Sequence, residues 1–570
     1  MTAIALWQVT LYLLVLLLCV VPLGAYMAKV YQGQPCLLDS INTPLERMIY
    51  RLCGIQSQEM DWKQYLRALL FFNIIGLFAV YAVSRLQYFL PLNPEEFSAI
   101  TPTIAFNTAA SFVSNTNWQA YAGENALSYF TQMSALTVQN FLSAATGMAV
   151  LVALIRGLSR SETTSLGNFW VDMTRGVLYI LLPLAFIFSL ILISQGVIQN
   201  LKPYEKFTPI VNNATEQIMP MGPVASQVAI KQLGTNGGGF FNSNSAHPFE
   251  NPNPMTNFLE MLAILLIPAA LCYMFGVMIN DKRQGWALLA AMLCLFIPLV
   301  LGTIAFENTA HPELTQLNID QSSGNMEGKE TRIGTTLSAL WAVATTATSN
   351  GSVNAMHDSF TPLGGLVLLG LMQIGEVVFG GVGSGLYGMV LMVIMTVFIA
   401  GLMVGRTPEY LGKKIEPYEM KMASFAILIM PIFVLLFTAI AAVTPSALSA
   451  LGNPGSHGLS EILYAFTSML NNNGSAFAGL NSSNPFYTVL GGLGILIGRY
   501  WIMIPILAIA GSLARKKTIP QTAGTLPTHN AFFVILLLCV IIIIAALTFF
   551  PVLGLGPIVE YLMLWGFHGH

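Results

Sequence analysis

The run Gly234–Phe241 reads G-T-N-G-G-G-F-F and stands between a short segment, Pro223 to Leu233, and a long apolar one, Asn257 to Ile279. The short segment can be a helix but cannot cross a bilayer, whereas the long one can. Apolar span, short helix, Gly- and Asn-rich loop, apolar span is the layout of a re-entrant loop. Irregular backbone survives at membrane depth only where it is buried in protein or lines a water-filled path. One such loop alone amounts to a turn. The chain has three more: Ser114-Asn115-Thr116-Asn117, Ser349-Asn350-Gly351-Ser352 and Asn471-Asn472-Asn473-Gly474-Ser475. Successive loops lie roughly 115 to 125 residues apart, a period that marks an internal repeat. The pattern predicts an all-α polytopic membrane protein of about ten spans, with four imperfect helix–pore-loop–helix repeats around a central pore.

The expected boundaries are a single membrane domain over residues 1–570, with an extra N-terminal span at 4–30 and a C-terminal span at 531–550. Between them lie repeats at 65–155, 176–280, 286–405 and 423–513. The stretch 362–405 is too long for one straight span and has a Gly-rich centre, so it reads as one broken crossing. The loops near 31–64, 197–222 and 307–333 are too short for a soluble domain and can only cap the bundle.

Composition agrees: 55% of residues are hydrophobic and 9% charged, against about a quarter charged in soluble domains. A net charge of -2 supplies no basic field and argues against nucleic acid as a partner. The six cysteines, Cys19, Cys36, Cys53, Cys272, Cys294 and Cys539, show neither zinc spacing nor a disulfide framework. His247, His311, His357 and His457 have no ligand spacing, so no metal site beyond the loops is expected.

Basic residues set the expected orientation. One set of loops holds Arg47, Arg51, Lys63, Arg67, Arg156, Arg160, Arg175, Lys282, Arg283, Arg406, Lys413, Lys414, Lys421, Arg515, Lys516 and Lys517. The set bearing the re-entrant loops holds only Arg85, Lys202, Lys206, Lys231, Lys329 and Arg332. The positive-inside rule therefore turns the re-entrant loops, and both termini, outward.

A monovalent cation entering a membrane must exchange water for fixed oxygens, and backbone carbonyls provide these without a permanent charge. Gly237, Gly238, Gly239, Gly351 and Gly474 give the loops the backbone freedom to turn carbonyls toward an axis. No Asp or Glu lies within the four loops, which favours potassium or sodium over a divalent ion. The short helices ahead of the loops would add the negative ends of their dipoles.

Several longer strings carry a resemblance. N-T-N-W-Q (Asn115 to Gln119), L-G-T-N-G-G-G-F-F-N (Leu233 to Asn242), A-H-P-F-E-N-P (Ala246 to Pro252), Q-I-G-E-V-V-F-G-G-V-G-S-G (Gln373 to Gly385), G-R-T-P-E-Y-L-G-K-K (Gly405 to Lys414) and N-N-N-G-S-A-F-A-G (Asn471 to Gly479) closely resemble the KdpA family. These are the potassium-binding, channel-like subunits of prokaryotic Kdp potassium-transporting ATPase complexes, in the superfamily that includes Trk and Ktr proteins. The resemblance covers essentially the whole chain. It implies that potassium is bound in a selectivity filter and passed through an intramembrane tunnel to a P-type ATPase subunit, KdpB, in a complex completed by KdpC and, in some cases, KdpF. It implies a bacterial inner-membrane location and no organic cofactor. Carried over by motif, the filter is Asn115, Thr116 and Asn117; Thr235, Asn236 and Gly237; Asn350 and Gly351; and Asn472, Asn473 and Gly474, with Gln119, Gly238, Gly239 and Ser349 beside it.

Two ionisable residues sit deep in apolar runs, Glu376 in the broken span and Arg499 after the fourth loop. A charge at mid-membrane costs about 2.5–3.5 kcal/mol on insertion scales, so such residues face a cavity or a partner. A structural Glu376–Arg499 pair, a snorkelling Arg499, and an Arg499 that repels potassium from a direct cytoplasmic route are all compatible with the pattern. The segment Gly380-Gly381-Val382-Gly383-Ser384-Gly385 reads either as a gating loop or as close helix packing through small residues. The chain has no phosphate-binding G-x-x-x-x-G-K-[ST] loop and no D-K-T-G phosphorylation sequence. Active transport would therefore draw its energy from a partner. The competing expectations are a self-sufficient Trk- or Ktr-like channel or symporter and a membrane-embedded enzyme. The second lacks clustered His, Asp or Glu at membrane depth.

Overall fold

The computed structural model describes residues 2–208, 217–520 and 525–566. Sixteen helices carry the architecture: α1 Ala3–Gln32, α2 Asp39–Leu52, α3 Trp62–Phe89, α4 Pro102–Val113, α5 Thr131–Ser159, α6 Phe169–Ser194, α7 Val224–Leu233, α8 Pro254–Met278, α9 Lys282–Glu307, α10 Gly334–Ala347, α11 Pro362–Gln373, α12 Ser384–Met403, α13 Pro417–Val443, α14 Gly455–Leu470, α15 Pro485–Arg515 and α16 Ala531–Leu564. Among the described residues, 10 of the helices are long and apolar enough to cross a membrane. The order long helix, short helix, irregular loop, long helix occurs at α3–α4–α5, α6–α7–α8, α9–α10–α11/α12 and α13–α14–α15.

Local signals start these helices where the chain needs them. Asp61 and Gln64 form a reciprocal capping box at α3, Asn253 caps α8 ahead of Pro254, and Asn530 caps α16. Burial then sorts them into layers. In its most apolar stretch α5 is 83% buried and α8 78%, against 17% for α3 and 28% for α1 and α16. The first pair therefore lines the centre, while the others keep apolar flanks such as Phe71, Ile75 and Leu547 exposed to lipid. Helices α4 and α5 both pack on α15, so the first and fourth units are adjacent.

Three details refine the expected outline, the first of them the broken crossing. The crossing at 362–405 is a half-length helix, α11, an irregular stretch 374–383 and then α12; twelve residues of α11 rise only about 18 Å. The last span continues past 550 to Leu564. Two short antiparallel ribbons, Glu205–Phe207 with Gln217–Met219 and Glu409–Tyr410 with Lys413–Lys414, occur outside the helices.

Candidate ion-binding ring and the cavity beneath it

Helices α4, α7, α10 and α14 end at Val113, Leu233, Ala347 and Leu470, and each of the four loops begins within a residue or two of such an end. The loops share one backbone pattern, positive φ at two positions separated by one residue. The pairs are Asn115 and Asn117, Thr235 and Gly237, Ser349 and Gly351, and Asn472 and Gly474. This register aligns Thr116, Asn236, Asn350 and Asn473 as the middle residues and puts Ser349 in the same row as Asn115, Thr235 and Asn472.

The loops meet as a closed ring. A Cβ on Gly237 would overlap the Asn350 carbonyl, one on Gly351 the Asn473 carbonyl, and one on Gly474 the Thr116 carbonyl. Each of these glycines is thus required twice, by its left-handed backbone and by the next loop's approach. Between the first and second loops side chains do the joining. Asn115 donates to the Gly234 and Thr235 carbonyls at 3.2 and 2.9 Å, and Asn117 to the Gly237 carbonyl at 3.2 Å. Gln119 makes a two-way bond with Gly239, 2.8 Å to its carbonyl and 3.0 Å from its amide. Gly238 lies against the same Gln119 side chain.

Buried polar groups brace the ring from behind. Asn140 accepts from Asn117 at 2.7 Å, and Ser143 donates to Asn115 at 2.8 Å; both come from α5. The Lys231 carbonyl accepts from the amides of Asn236 and Gly237 and from the Asn350 side chain at 3.0 Å. Asn472 donates to Thr116 at 2.9 Å, and Asn473 donates to the Thr345 carbonyl and to Glu376, each at 2.9 Å. The loops contain no carboxylate, yet one touches them from below.

Glu376 and Arg499 are both buried and both line a cavity of about 90 Å³ under the ring, room for a few water molecules. They do not form an ion pair: Glu376 bonds to Asn473, and Arg499 donates to the Ser143 carbonyl at 3.4 Å. The cavity runs from Ser349, Asn472 and Gly498 past Tyr387 to Met430 on α13 and to Ile541, Ala545 and Thr548 on α16.

The irregular stretch 374–383 forms the wall between ring and cavity. Positive φ recurs at Gly375, Glu376, Phe379, Gly380 and Gly383. The Val382 amide donates to Thr235 Oγ1 at 2.8 Å, and that of Gly380 to the Ala347 carbonyl at 3.0 Å. Gly383 packs against the Gly147 carbonyl of α5, Gly385 against that of Phe379, and Gly381 beside Ser349. Close packing through small residues is therefore present, and it is packing of an irregular segment directly beneath the second and third loops.

Sequence reasoning missed the charges behind the ring. Lys231 is completely buried and paired with Glu250, and Lys329 is paired with Glu307 at 2.8 Å. The ion-pair role of His457, expected only to lack metal-ligand spacing, was also missed. Asp358, His457 and Glu461 each place a possible ligand atom within 4.8 Å of the others. Both ring nitrogens of His457 are already engaged, Nε2 with Asp358 at 3.0 Å and Nδ1 with Glu560 at 2.8 Å, so the cluster is an ion-pair network. Burial opposes charge on this imidazole, but the bonds to Asp358 and Glu560 outweigh it and push its pKa up to about 10. His357, buried and then disfavoured further by Lys329, falls to about 3 and shares a 2.8 Å hydrogen bond with Tyr464 as a neutral ring.

Ten apolar helices around a ring of re-entrant loops define a multi-pass membrane transport protein. A solved structure of the potassium transporter TrkH from Vibrio parahaemolyticus has the same fold, with a TM-score of 0.51 over 88% of this chain and 98% of that one at 13% identity. The potassium-transporting ATPase A subunit family, KdpA, matches residues 10–562. The potassium-binding subunit of the potassium-transporting ATPase of Sorangium cellulosum is 59% identical, with 99% of each chain covered. That of Herpetosiphon aurantiacus is 58% identical, with 98% of each covered. This chain belongs to the KdpA family, and its work is potassium transport.

Proposed function

We propose that this chain is the non-catalytic, potassium-binding subunit of an ATP-driven uptake complex of the bacterial inner membrane, with its four loops and both termini on the outer side. Potassium binds in the ring at Thr116, Asn236, Asn350, Asn473 and their neighbours, where neutral backbone oxygens replace its water. The observation that carries this reading is the interlocked ring, in which Gly237, Gly351 and Gly474 each abut the next loop's carbonyl. Family membership adds the ATPase, and the partners expected are KdpB, KdpC and KdpF.

The lining of the cavity by Met430 of α13 and by Ile541, Ala545 and Thr548 of α16 supports lateral delivery, past these helices and into the hydrolytic subunit. Arg499 is the barrier in this scheme. A fixed guanidinium in a low-dielectric cavity repels a monovalent cation strongly, which discourages a direct path to the cytoplasm. The Gly380–Gly385 segment, wedged between ring and cavity, is the gate.

The decisive test is potassium uptake into vesicles holding this chain with and without its co-expressed P-type ATPase subunit. Uptake should require both the partner and ATP, and gradient-driven flux from the chain alone would replace the proposal with a self-sufficient channel or symporter. In the same vesicles Arg499→Gln should raise ATP-independent potassium leak by about tenfold or more, the worth of at least ~1.4 kcal/mol of lost repulsion. An unchanged leak would remove Arg499 from the barrier role.

A further inference from the structure

Glu260, on the first turns of α8, is completely buried, and the transport scheme above makes no use of it. One of its carboxylate oxygens accepts from Gln232 Nε2 at 2.9 Å and from Ser245 Oγ at 2.8 Å. Gln232 in turn accepts, through its Oε1, from Ser352 Oγ at 2.9 Å. Ser352 is the residue after Gly351 in the third loop; its amide donates to Asn350 Oδ1 at 3.0 Å, and its hydroxyl lies against the same oxygen. Asn350 then donates to the Lys231 carbonyl at 3.0 Å, the oxygen that also anchors Asn236 and Gly237. The relay therefore ends at the seam where the second loop meets the third.

A carboxylate is an acceptor only, whereas a carboxamide has a donor end and an acceptor end. Gln232 turns its NH₂ toward the accepting oxygen of Glu260 and its carbonyl toward the donating hydroxyl of Ser352, so the carboxyl group sets which way the amide faces. A second link runs parallel, from Asn257 Oδ1, one turn before Glu260, to Asn354 Nδ2 at 3.0 Å. The other oxygen of Glu260, the Asn257 Nδ2 and the Asn354 Oδ1 are all buried without a partner. Such atoms are costly to bury, so this corner retains polar capacity beyond what plain packing needs.

We propose that Glu260 is a positioning residue of the ion-binding ring: its carboxylate orients Gln232, which holds Ser352 and, through it, Asn350 against the Gly237 seam. This inference rests on the reading of the ring as the potassium site. Glu260 does not touch the ion; it sets how well the second and third loops present their carbonyls.

The test is the potassium dependence of ATPase activity in the assembled complex, comparing Glu260→Gln, Glu260→Ala, Ser352→Ala and Gly237→Asp. Glu260→Ala and Ser352→Ala should raise the half-saturating potassium concentration by about tenfold, the size of one lost buried hydrogen bond, with the maximal rate held within about twofold. Glu260→Gln keeps an acceptor and should recover most of the affinity. Half-saturation unchanged in Ser352→Ala, a fall in maximal rate alone, or a Glu260→Gln protein that fails to assemble would each overturn the positioning role. If Gly237→Asp also leaves affinity unchanged, the ring itself is not the site, which separates the two failures.

Discussion

Two stretches of irregular backbone lie one above the other in this molecule, and they are built differently. In the ring, four loops from distant parts of the chain rest on one another, with glycine against carbonyl and Asn or Gln side chains reaching across each seam. In the stretch 374–383, held to the ring by the Val382 bond to Thr235 and the Gly380 bond to Ala347, positive φ recurs within a single strand of chain. Loops held on both sides by neighbours are rigid; a glycine-hinged segment held at a few points can move. On the function proposed above, this difference divides the labour: the ring sets how tightly an ion is held and the segment below sets how often it leaves.

The comparison breaks first, if it breaks at all, at Gly237. An Asp there meets both a left-handed backbone that favours glycine and the Asn350 carbonyl, and it brings a charge into loops that contain none. Half-saturating potassium should rise by about a hundredfold or more, the sum of a strain of ~1–2 kcal/mol and a lost seam. Potassium-dependent ATPase activity in the complex measures it. Gly375 sharpens the other half. Its φ is 84°, but nothing stands within 4 Å of a would-be Cβ, so Gly375→Ala meets no clash and acts through hinge freedom and one methyl added to the cavity wall. The maximal uptake rate should change by up to about tenfold, as expected for ~1 kcal/mol of backbone strain, while affinity stays within about twofold. An affinity shift as large as the rate shift would erase the distinction drawn between the two regions.

The smallest effect belongs to the rim, where His457 ties the flank of the third loop to α16 through Asp358 and Glu560. Its pKa stands above the ordinary 6.5, at about 10. The stabilisation is therefore at its fullest near and just below pH 6.5, declines as pH rises from there and is gone above about 10. His457→Asn should cost about 1–2 kcal/mol at neutral pH in thermal unfolding of the purified chain. The difference from the parent should fade above pH 10, and a difference that grows there instead would contradict the ion-pair assignment.

Much of the frame could be read from the sequence because membrane helices announce themselves by length and apolarity, and re-entrant loops by Gly and Asn between such runs. The period also survived folding in a literal sense, since Asn115 meets Thr235, Gln119 meets Gly239, and Gln232 meets Ser352, each 120 residues away. The bracing behind the ring was not legible. Asn140 and Ser143 on α5, or Asn257 and Glu260 on α8, are polar residues embedded in membrane-length helices, and only the packing shows that they converge on the loops. Lys231 misled for the same reason. Counted among the few basic residues of the outer loops, it is enclosed with Glu250 and contributes its backbone oxygen to the seam.

The seam between the fourth and first loops has a consequence for how the protein is made. Asn472 reaches Thr116 across 356 residues, and Gly474 abuts the carbonyl of that same Thr116. Chains are synthesised from the N-terminus at about 5–20 residues per second, so the first loop waits on the order of twenty seconds or more for the partner that completes it. Until residue 474 emerges the ring is open on one side. On the reading of the ring as the potassium site, a nascent or truncated chain lacks selectivity, and the site exists only when nearly the whole protein does.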